Sequence, residues 1–271
     1  MKRSKLIIGI FIALLLVVLT IVLLAFTVFI VRDVKVESDV ISRLIDEEKI
    51  VESSGLVKGT NIISINKTGI KSNIEKENPY VEIKSIVREF PSTVVITATV
   101  RTGIMLIPSD DGDSAAVIDS SMKILNVVPA VDMEKSGVTL VKGVAFKVPE
   151  EGALTAVGTV ADFTNESFGS ILREVAEAAK NQSLDISGAS FSTFFKEISF
   201  VAGAGVTAIV KTNRGVSFVL DSTLATSIYE QLYMCIKFYT SKEVEIDRTR
   251  GYITLNKDVS GVAYQWVESL D

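Results

Sequence analysis

The chain has 271 residues, with 28 Lys and Arg against 33 Asp and Glu, so its formal net charge is −5. This acidic balance argues against binding to nucleic acid, whose phosphates require a basic protein surface. The absence of His and the single Cys exclude His-based nucleophile pairs, His-ligated metals and an internal disulfide bond.

An uncharged apolar run occupies residues 6–31. At about 1.5 Å per residue, a helix of this length exceeds the ~30 Å hydrocarbon core of a bilayer. It is also longer than the apolar region of a cleavable signal peptide, which has about 7–15 residues. Because Lys2, Arg3 and Lys5 precede the run, the positive-inside rule predicts that the tail 1–5 is cytoplasmic. We predict a transmembrane helix over 6–31 and a single-pass type II protein of the cell membrane.

A small α+β module is predicted over residues 32–103. Its elements are a strand at 33–36, helices at 46–54 and 66–77, and strands at 81–90 and 92–106. Asp46 and Asn66 are side chains of the type that caps the first turn of a helix. The resulting order is β-α-α-β-β, which places two helices on one side of a sheet.

The remainder of the chain is predicted to be a mostly antiparallel β-domain with two helices, over residues 104–256. The predicted strands are 115–119, 123–128, 198–201, 206–211, 216–220, 244–247 and 252–255, and the amphipathic helices are 168–179 and 224–239. A C-terminal tail, 257–271, follows. The fold class is therefore α+β.

Several motifs have a characteristic spacing. They are the turn Ser54–Asn61, the strand entry Asn78–Val81, the hairpin Val87–Ile96 around Pro91, and, later in the chain, Asp119 and Val244–Arg248. These motifs and the β-α-α-β-β order resemble the POTRA domain and β-domain of the FtsQ/DivIB family of bacterial cell-division proteins. The hairpin is the most specific motif, because it fixes seven positions relative to one proline. The resemblance covers residues 1–256.

The resemblance implies a non-enzymatic scaffold of the divisome, concentrated at the division septum. Members of the family bind two single-span division proteins, FtsL and FtsB/DivIC, and this complex regulates septal peptidoglycan synthesis. A late strand of the β-domain carries the contact, and the matching stretch here is 244–256. We therefore expect FtsL-like and FtsB/DivIC-like partners, with the synthase contacted indirectly.

The physical basis for such a contact is an edge strand, because its unpaired N–H and C=O groups can be extended by another chain. The last predicted strand lies within residues 251–256, which makes it the candidate edge. The open alternative is that the tail 257–271 covers it. The candidate partner-binding residues are Val244, Ile246, Gly251, Tyr252, Ile253, Thr254, Leu255 and Asn256.

An alternative function is that of an extracytoplasmic serine acyl-transfer enzyme of cell-wall metabolism. Ser120 and Lys123 form a literal S-x-x-K motif, and residues 67–69 form a literal K-T-G motif. In penicillin-binding enzymes the serine opens a helix, whereas Ser120 is predicted to lie in a turn between strands. The two motifs also occur in the reverse order. We therefore predict that the chain is not an enzyme.

Three further features are predicted to be structural. The acidic loop 110–113 lacks the closing Glu of a calcium loop, which indicates a solvated hairpin tip. The glycine pattern at 203–208 is followed by β-branched alternation, which favours a turn over a dinucleotide site. Cys235 lies on the apolar stripe of its helix and is interpreted as a core residue. We predict no metal ion and no cofactor.

Overall fold

The structure, a computed structural model, describes residues 2–40, 42–180, 190–203, 205–258 and 261–270. By internal contacts the chain divides into two compact units, Met1–Arg101 and Thr102–Asp271. The first unit contains a long N-terminal helix and a small α+β module, and the second contains a large sheet with helices. The mixed α+β class is therefore confirmed.

The N-terminal helix, α1, covers Lys2–Thr27. Thr20 and Thr27 donate their hydroxyl groups to the carbonyl oxygens of Leu16 and Leu23, which satisfies these polar groups within the helix. The large apolar side chains between residues 7 and 23 are exposed. Counting only the residues that the structure describes, no helix is long and apolar enough to cross a bilayer. The transmembrane part of the sequence prediction is thus not shown by the structure.

The α+β module has the predicted order of elements. These are β1 (Asp33–Ser38), α2 (Glu47–Ser53), α3 (Lys67–Glu77), β2 (Val81–Glu89) and β3 (Thr93–Val100). The sheet order is β1-β3-β2, with β1 parallel and β2 antiparallel to β3. Apolar side chains from the sheet and both helices form one core, whose fully buried members include Ile50, Ile62, Ile74, Val94 and Ile96.

The two short helices begin where the sequence places their caps. The Asp46 carboxylate accepts a hydrogen bond from the Lys49 N–H at 3.2 Å, and the Asn66 side chain accepts one from the Gly69 N–H at 3.1 Å. Each bond satisfies a donor that the helix leaves unpaired in its first turn. Gly55, in the left-handed region with φ 66°, follows α2 and marks its end.

The second unit contains nine strands and three helices among its described residues. The elements are β4 (Met105–Pro108), β5 (Ser114–Ile118), β6 (Ile124–Pro129), β7 (Thr139–Lys142), α4 (Glu166–Lys180), α5 (Phe191–Phe194), β8 (Phe195–Ala202), β9 (Val206–Thr212), β10 (Ser217–Asp221), α6 (Ile228–Thr240), β11 (Tyr252–Asp258) and β12 (Gly261–Val267). Two 3-10 helices lie at Ala130–Lys135 and Ala153–Ala156.

All nine strands belong to one sheet with the order β12-β11-β10-β9-β8-β7-β4-β5-β6. Three of its strand pairs are parallel (β4 with β7, β7 with β8, β10 with β11) and the others are antiparallel. Helices α4 and α6 pack against the large core cluster through side chains such as Leu172, Val175, Leu232 and Cys235. The two ends of the sheet are β12 and β6.

Two strand predictions are wrong. Residues 244–247 form no strand but part of the loop between α6 and β11. The predicted strand 92–106 is split into β3 and β4, which belong to different sheets. The ladder of β3 ends at Val100 because its partner strand β2 begins there, with Val81 opposite Val100.

Candidate functional site

The free end of the large sheet is β12, not the segment 251–256 that the sequence indicates. Strand β11, which contains most of that segment, lies between β10 and β12 and pairs with both. The prediction of an edge at 251–256 is therefore wrong. The alternative, in which the tail covers this strand, is the one observed, because the tail itself forms a strand.

The direction of each backbone group follows from one hydrogen bond. The Ser217 N–H of β10 donates to the Gly251 C=O at 2.9 Å, so alternate residues from Gly251 onward turn their backbone groups toward β10. The intervening residues turn theirs toward β12, where Thr254 is opposite Gln265. The β12 residues that turn their N–H and C=O groups away from the sheet are then Val262, Tyr264 and Trp266. Among the described residues, no strand pairs with them.

Two aromatic side chains line this edge. Tyr264 and Trp266 are half-buried, stand opposite Leu255 and Ile253, and pack against the large core cluster. The Tyr264 ring lies 6.4 Å from that of Phe238 on α6. Burial, followed by the nearby Cys235 and Glu230, raises the pKa of Tyr264 to about 12, so its hydroxyl stays protonated at neutral pH. The edge therefore combines unpaired backbone groups with partly exposed aromatic surface.

The start of β11 is built around a close approach to Trp266. Gly251 has φ 88°, and a Cβ atom added there would lie 2.6 Å from the Val267 oxygen and 2.7 Å from the Trp266 Nε1. The Trp266 Nε1–H also donates to the Arg250 carbonyl at 3.0 Å. Gly251 was predicted to bind a partner, but its observed role is to let this indole ring pack on the backbone.

The loop between α6 and β11 is held by Arg248. Its guanidinium donates to the carbonyl oxygens of Tyr239 at 2.9 Å, Ser241 at 2.5 Å and Val244 at 3.0 Å. These bonds occupy backbone acceptors at the end of α6 and at Val244, and the segment 244–247 forms a loop. Val244 and Ile246, both predicted as binding residues of a strand, lie in this loop instead, and Ile246 packs partly against the core.

A second set of polar contacts links the loop to the end of β12. Asp247 accepts hydrogen bonds from the Thr249 hydroxyl, the Thr249 N–H and the Arg250 guanidinium. These bonds lower the pKa of Asp247, and the bond from the Thr249 hydroxyl has the largest effect. The Arg250 Nη1 lies 2.9 Å from the Glu268 carboxylate. The loop is therefore bonded to the end of α6 through Arg248 and to the end of β12 through Arg250.

The other predicted binding residues have mixed positions. Ile253 is fully buried, and its side chain is not available to a partner, whereas Leu255 is half-buried and packs against the core. Tyr252 and Thr254 are half-exposed on the opposite face. The Asn256 side chain lies outside the described residues. Sequence reasoning missed the edge residues of β12, although the alternation of apolar and small or polar residues over 262–266 was a signal for a strand.

The opposite end of the sheet is partly closed. The Ile124 N–H of β6 donates to the Thr159 carbonyl at 2.8 Å, and the Gly158 N–H donates to the Ile124 carbonyl at 2.8 Å. Pro129, at the other end of β6, has no N–H to offer. Strand β12 is thus the better candidate for pairing with another chain.

The alternative catalytic pair lies in a turn. Ser120 is located between β5 and β6, where the Asp119 carboxylate accepts hydrogen bonds from the N–H groups of Ser121 and Lys123 at 2.8 and 2.9 Å. No helix begins at Ser120, so the one-turn spacing that the S-x-x-K motif requires is not formed there. Lys123 is buried and forms a β-bridge with Val160.

The remaining candidates are turns or core positions. At the β4–β5 hairpin tip, Asp111 accepts from the Ser109 hydroxyl and the Asp113 N–H, and the Ser109 bond is the main cause of its lowered pKa. The Gly203 N–H donates to the Gly205 carbonyl in the β8–β9 turn. Within the described ranges, no group of three or more His, Cys, Asp or Glu residues could hold a metal ion.

Comparison with known proteins gives three matches. Residues 31–99 match the model of the POTRA domain, FtsQ-type. The chain is 26% identical over 191 residues to the "Cell division protein DivIB" of Clostridium acetobutylicum, a match that covers 68% of this chain and 72% of that protein. It is 30% identical over 92 residues to the "Cell division protein FtsQ" of Corynebacterium glutamicum, which covers 34% of this chain and 41% of that protein.

The family-model match falls on the module that carries most of the motifs of the resemblance. The POTRA match spans the β-α-α-β-β module, and the DivIB match is too long to be contained in that module alone. The resemblance stated from the sequence is therefore confirmed: residues 31–99 form an FtsQ-type POTRA domain, and the chain is similar to the DivIB and FtsQ cell-division proteins.

Proposed function

We propose that this protein is a membrane-anchored, non-enzymatic scaffold of the divisome whose β12 edge binds FtsL-like and FtsB/DivIC-like partners. One observation carries the proposal. The nine-stranded sheet ends at β12, where alternate residues turn their N–H and C=O groups away from the sheet. An extended segment of a partner can pair with these groups and become a tenth strand.

The edge is suited to this mode of binding because it is preorganised. The Trp266 indole N–H donates to the Arg250 backbone carbonyl, and the Arg250 side chain pairs with Asp247 and Glu268. A strand that is already ordered loses little conformational entropy when a partner docks. The half-exposed faces of Tyr264 and Trp266 offer apolar contact in addition to the main-chain bonds.

Anchoring in the cell membrane is the second part of the proposal. The support is the uncharged run over residues 6–31 with three basic residues before it. The large apolar side chains between residues 7 and 23 are also exposed among the residues that the structure describes. An anchored scaffold would hold single-span partners in the same membrane at the septum, and through them it would regulate septal peptidoglycan synthesis.

The test is a pair of substitutions at one edge residue. Tyr264→Pro removes an outward N–H and the side chain, whereas Tyr264→Ala removes the side chain alone. Capture of a purified FtsL–FtsB/DivIC-type pair by the full chain in detergent would be measured for each variant. We expect Tyr264→Pro to abolish capture and Tyr264→Ala to weaken it only partly, because the main-chain bonds remain.

Circular dichroism and thermal unfolding would verify that both variants keep the fold. Capture by a folded Tyr264→Pro variant at the level of the unmodified chain would contradict the proposed edge. Ile124→Pro, which removes an N–H bonded to Thr159 at the other end of the sheet, is the matched control, and capture by a folded Ile124→Pro variant is expected to be unchanged.

A further inference from the structure

We propose that one end of the POTRA module inserts an apolar patch, formed by Val57, Ile63 and Phe90, into the headgroup region of the lipid bilayer. The inference rests on the proposed anchoring of α1. The three residues lie in two different loops, and both loops are bonded to the segment that directly follows α1. The module would then contact the bilayer directly, in addition to its covalent link to α1.

Only a short segment separates α1 from the module. Helix α1 ends at Thr27, and Phe29 follows two residues later, which a chain cannot extend beyond about 7 Å. The Phe29 carbonyl accepts from the Ile62 N–H at 3.0 Å, and the Val31 N–H donates to the Thr60 carbonyl at 2.8 Å. The loop between α2 and α3 is therefore fixed next to the end of α1.

The turn between β2 and β3 lies at the same end. The Arg32 N–H donates to the Ser92 carbonyl at 2.8 Å, and the rings of Phe29 and Phe90 meet edge to face at 5.8 Å. An Arg32 guanidinium nitrogen also lies 3.3 Å from the Thr27 carbonyl, at the last turn of α1. Three separate segments thus converge where the helix leaves the module.

The patch consists of large apolar side chains that the protein does not cover. Val57 is 67% exposed, Phe90 59% and Ile63 53%, although each belongs to a residue type that is usually buried. Single exposed apolar residues are common, but these three lie in the two loops that are bonded to the segment following α1. A bilayer interface buries such side chains among headgroups and the first acyl carbons, which removes their contact with water.

The charges around the patch indicate which lipid is needed. Two exposed cations, Arg32 and Lys58, are balanced by two exposed anions, Asp33 and Glu89. Because these exposed charges cancel, and the nearby Arg88 is half-buried and donates to the Ile65 carbonyl, attraction to anionic lipid contributes little, and apolar insertion is the expected mode of contact. The patch should therefore bind neutral phosphatidylcholine, and its contact should be insensitive to salt.

Labelled cysteine variants of the full chain test the inference. Phe90→Cys and Val57→Cys place a nitrobenzoxadiazole fluorophore in the patch, and the native Cys235 is buried and does not compete. Val40→Cys is the matched control. Val40 is 44% exposed and follows β1, which starts at the α1 end and runs away from it over six residues. Two patch variants guard against misfolding of either one.

The chains would be reconstituted in phosphatidylcholine vesicles that contain lipid with a shallow spin label. We expect the patch fluorophores to be quenched about twofold or more over the Val40 control, with the same result at high salt. Equal quenching at the three positions, in chains that float with the vesicles, would overturn the patch while leaving the anchor intact.

Two other outcomes are decisive. Failure of the unmodified chain to float with vesicles would overturn the anchor and, with it, the patch. A patch fluorophore that lipid does not quench, but that becomes shielded when the FtsL–FtsB/DivIC-type pair is added, would assign this surface to a protein partner and overturn lipid contact.

Discussion

The Arg101 guanidinium lies 3.0 Å from the Glu75 carboxylate, and both side chains are almost fully buried, with 8% and 11% of their surface exposed. The second carboxylate oxygen of Glu75 accepts a hydrogen bond from the Ile83 N–H at 2.9 Å, next to the bulge in β2. The Arg101 Nε also donates to the Val81 carbonyl at 3.3 Å. This pair therefore joins α3, the irregular part of β2 and the end of β3.

Breaking the pair should destabilise the POTRA module. In Arg101→Ala the Glu75 carboxylate loses its buried partner, which we expect to cost about 3 kcal/mol. The measurement is hydrogen exchange at Ile83, whose N–H should exchange about a hundredfold faster if it is exposed by the same opening. The control is Lys84→Ala, which removes an exposed ion pair to Glu82 and should change exchange little. Unchanged exchange in Arg101→Ala would contradict the proposed role of the pair.

Replacing Gly251 should disturb β11 and β12 together. The left-handed backbone alone costs a non-glycine residue about 1–2 kcal/mol, and the new Cβ would also meet the Trp266 ring. We expect Gly251→Ala to lower the free energy of unfolding by more than Gly112→Ala, which has a similar φ of 79° but open space around it. Trp266 is the only Trp, so its fluorescence reports both unfolding and local displacement. Equal losses in the two variants would show that the approach of the indole ring is not tight.

The sequence predicted those elements whose signals are local. The helices α2 and α3 start at Asp46 and Asn66 because a side chain one turn away is enough to cap them. The segment 244–247 alternates like a strand, but the Arg248 guanidinium holds its backbone in a loop, a contact that no local pattern reveals. Strand β12 was not predicted, because residues 257–271 were expected to form a tail, although residues 262–266 alternate as in a strand.

The end of the sheet, which the sequence analysis placed at 251–256, lies one strand later, at β12. Ile253 and Leu255 have the apolar character of interface residues, yet they face the core, because both lie on the core side of the β11 pleat. Which of two neighbouring strands is outermost depends on the pairing of the whole sheet. That pairing is a long-range property, and the composition of either strand does not determine it.

Stability should fall at high pH through Tyr264. Burial, with Cys235 and Glu230, raises the pKa of this phenol to about 12, whereas an ordinary Tyr has a pKa near 10. The neutral phenol is thus favoured by the fold, so its contribution is fully present below about pH 10 and is lost as the pH rises through about 12. The measurement is the phenolate absorbance of the unmodified chain minus that of Tyr264→Phe as a function of pH. This difference should titrate near pH 12. A difference that titrates near pH 10 would indicate that the hydroxyl is solvated.

The single thiol should be unreactive in the folded protein. Cys235 is fully buried in α6, and burial raises the pKa of its thiol, so the reactive thiolate is scarce and inaccessible. We expect a thiol reagent to label the native chain far more slowly than the chain in denaturant, where one thiol per chain should react. Cys235→Ala supplies the blank. Labelling at equal rates in both conditions would contradict the packing of α6 against the sheet.

The most direct measurement of the central claim is residue-resolved hydrogen exchange along β12, with and without the FtsL–FtsB/DivIC-type pair. If a partner strand pairs with this edge, the outward N–H groups of Tyr264 and Trp266 should become protected. The Gln265 N–H, which already faces β11, should change little. Binding of the pair without protection at Tyr264 and Trp266 would contradict pairing at the β12 edge.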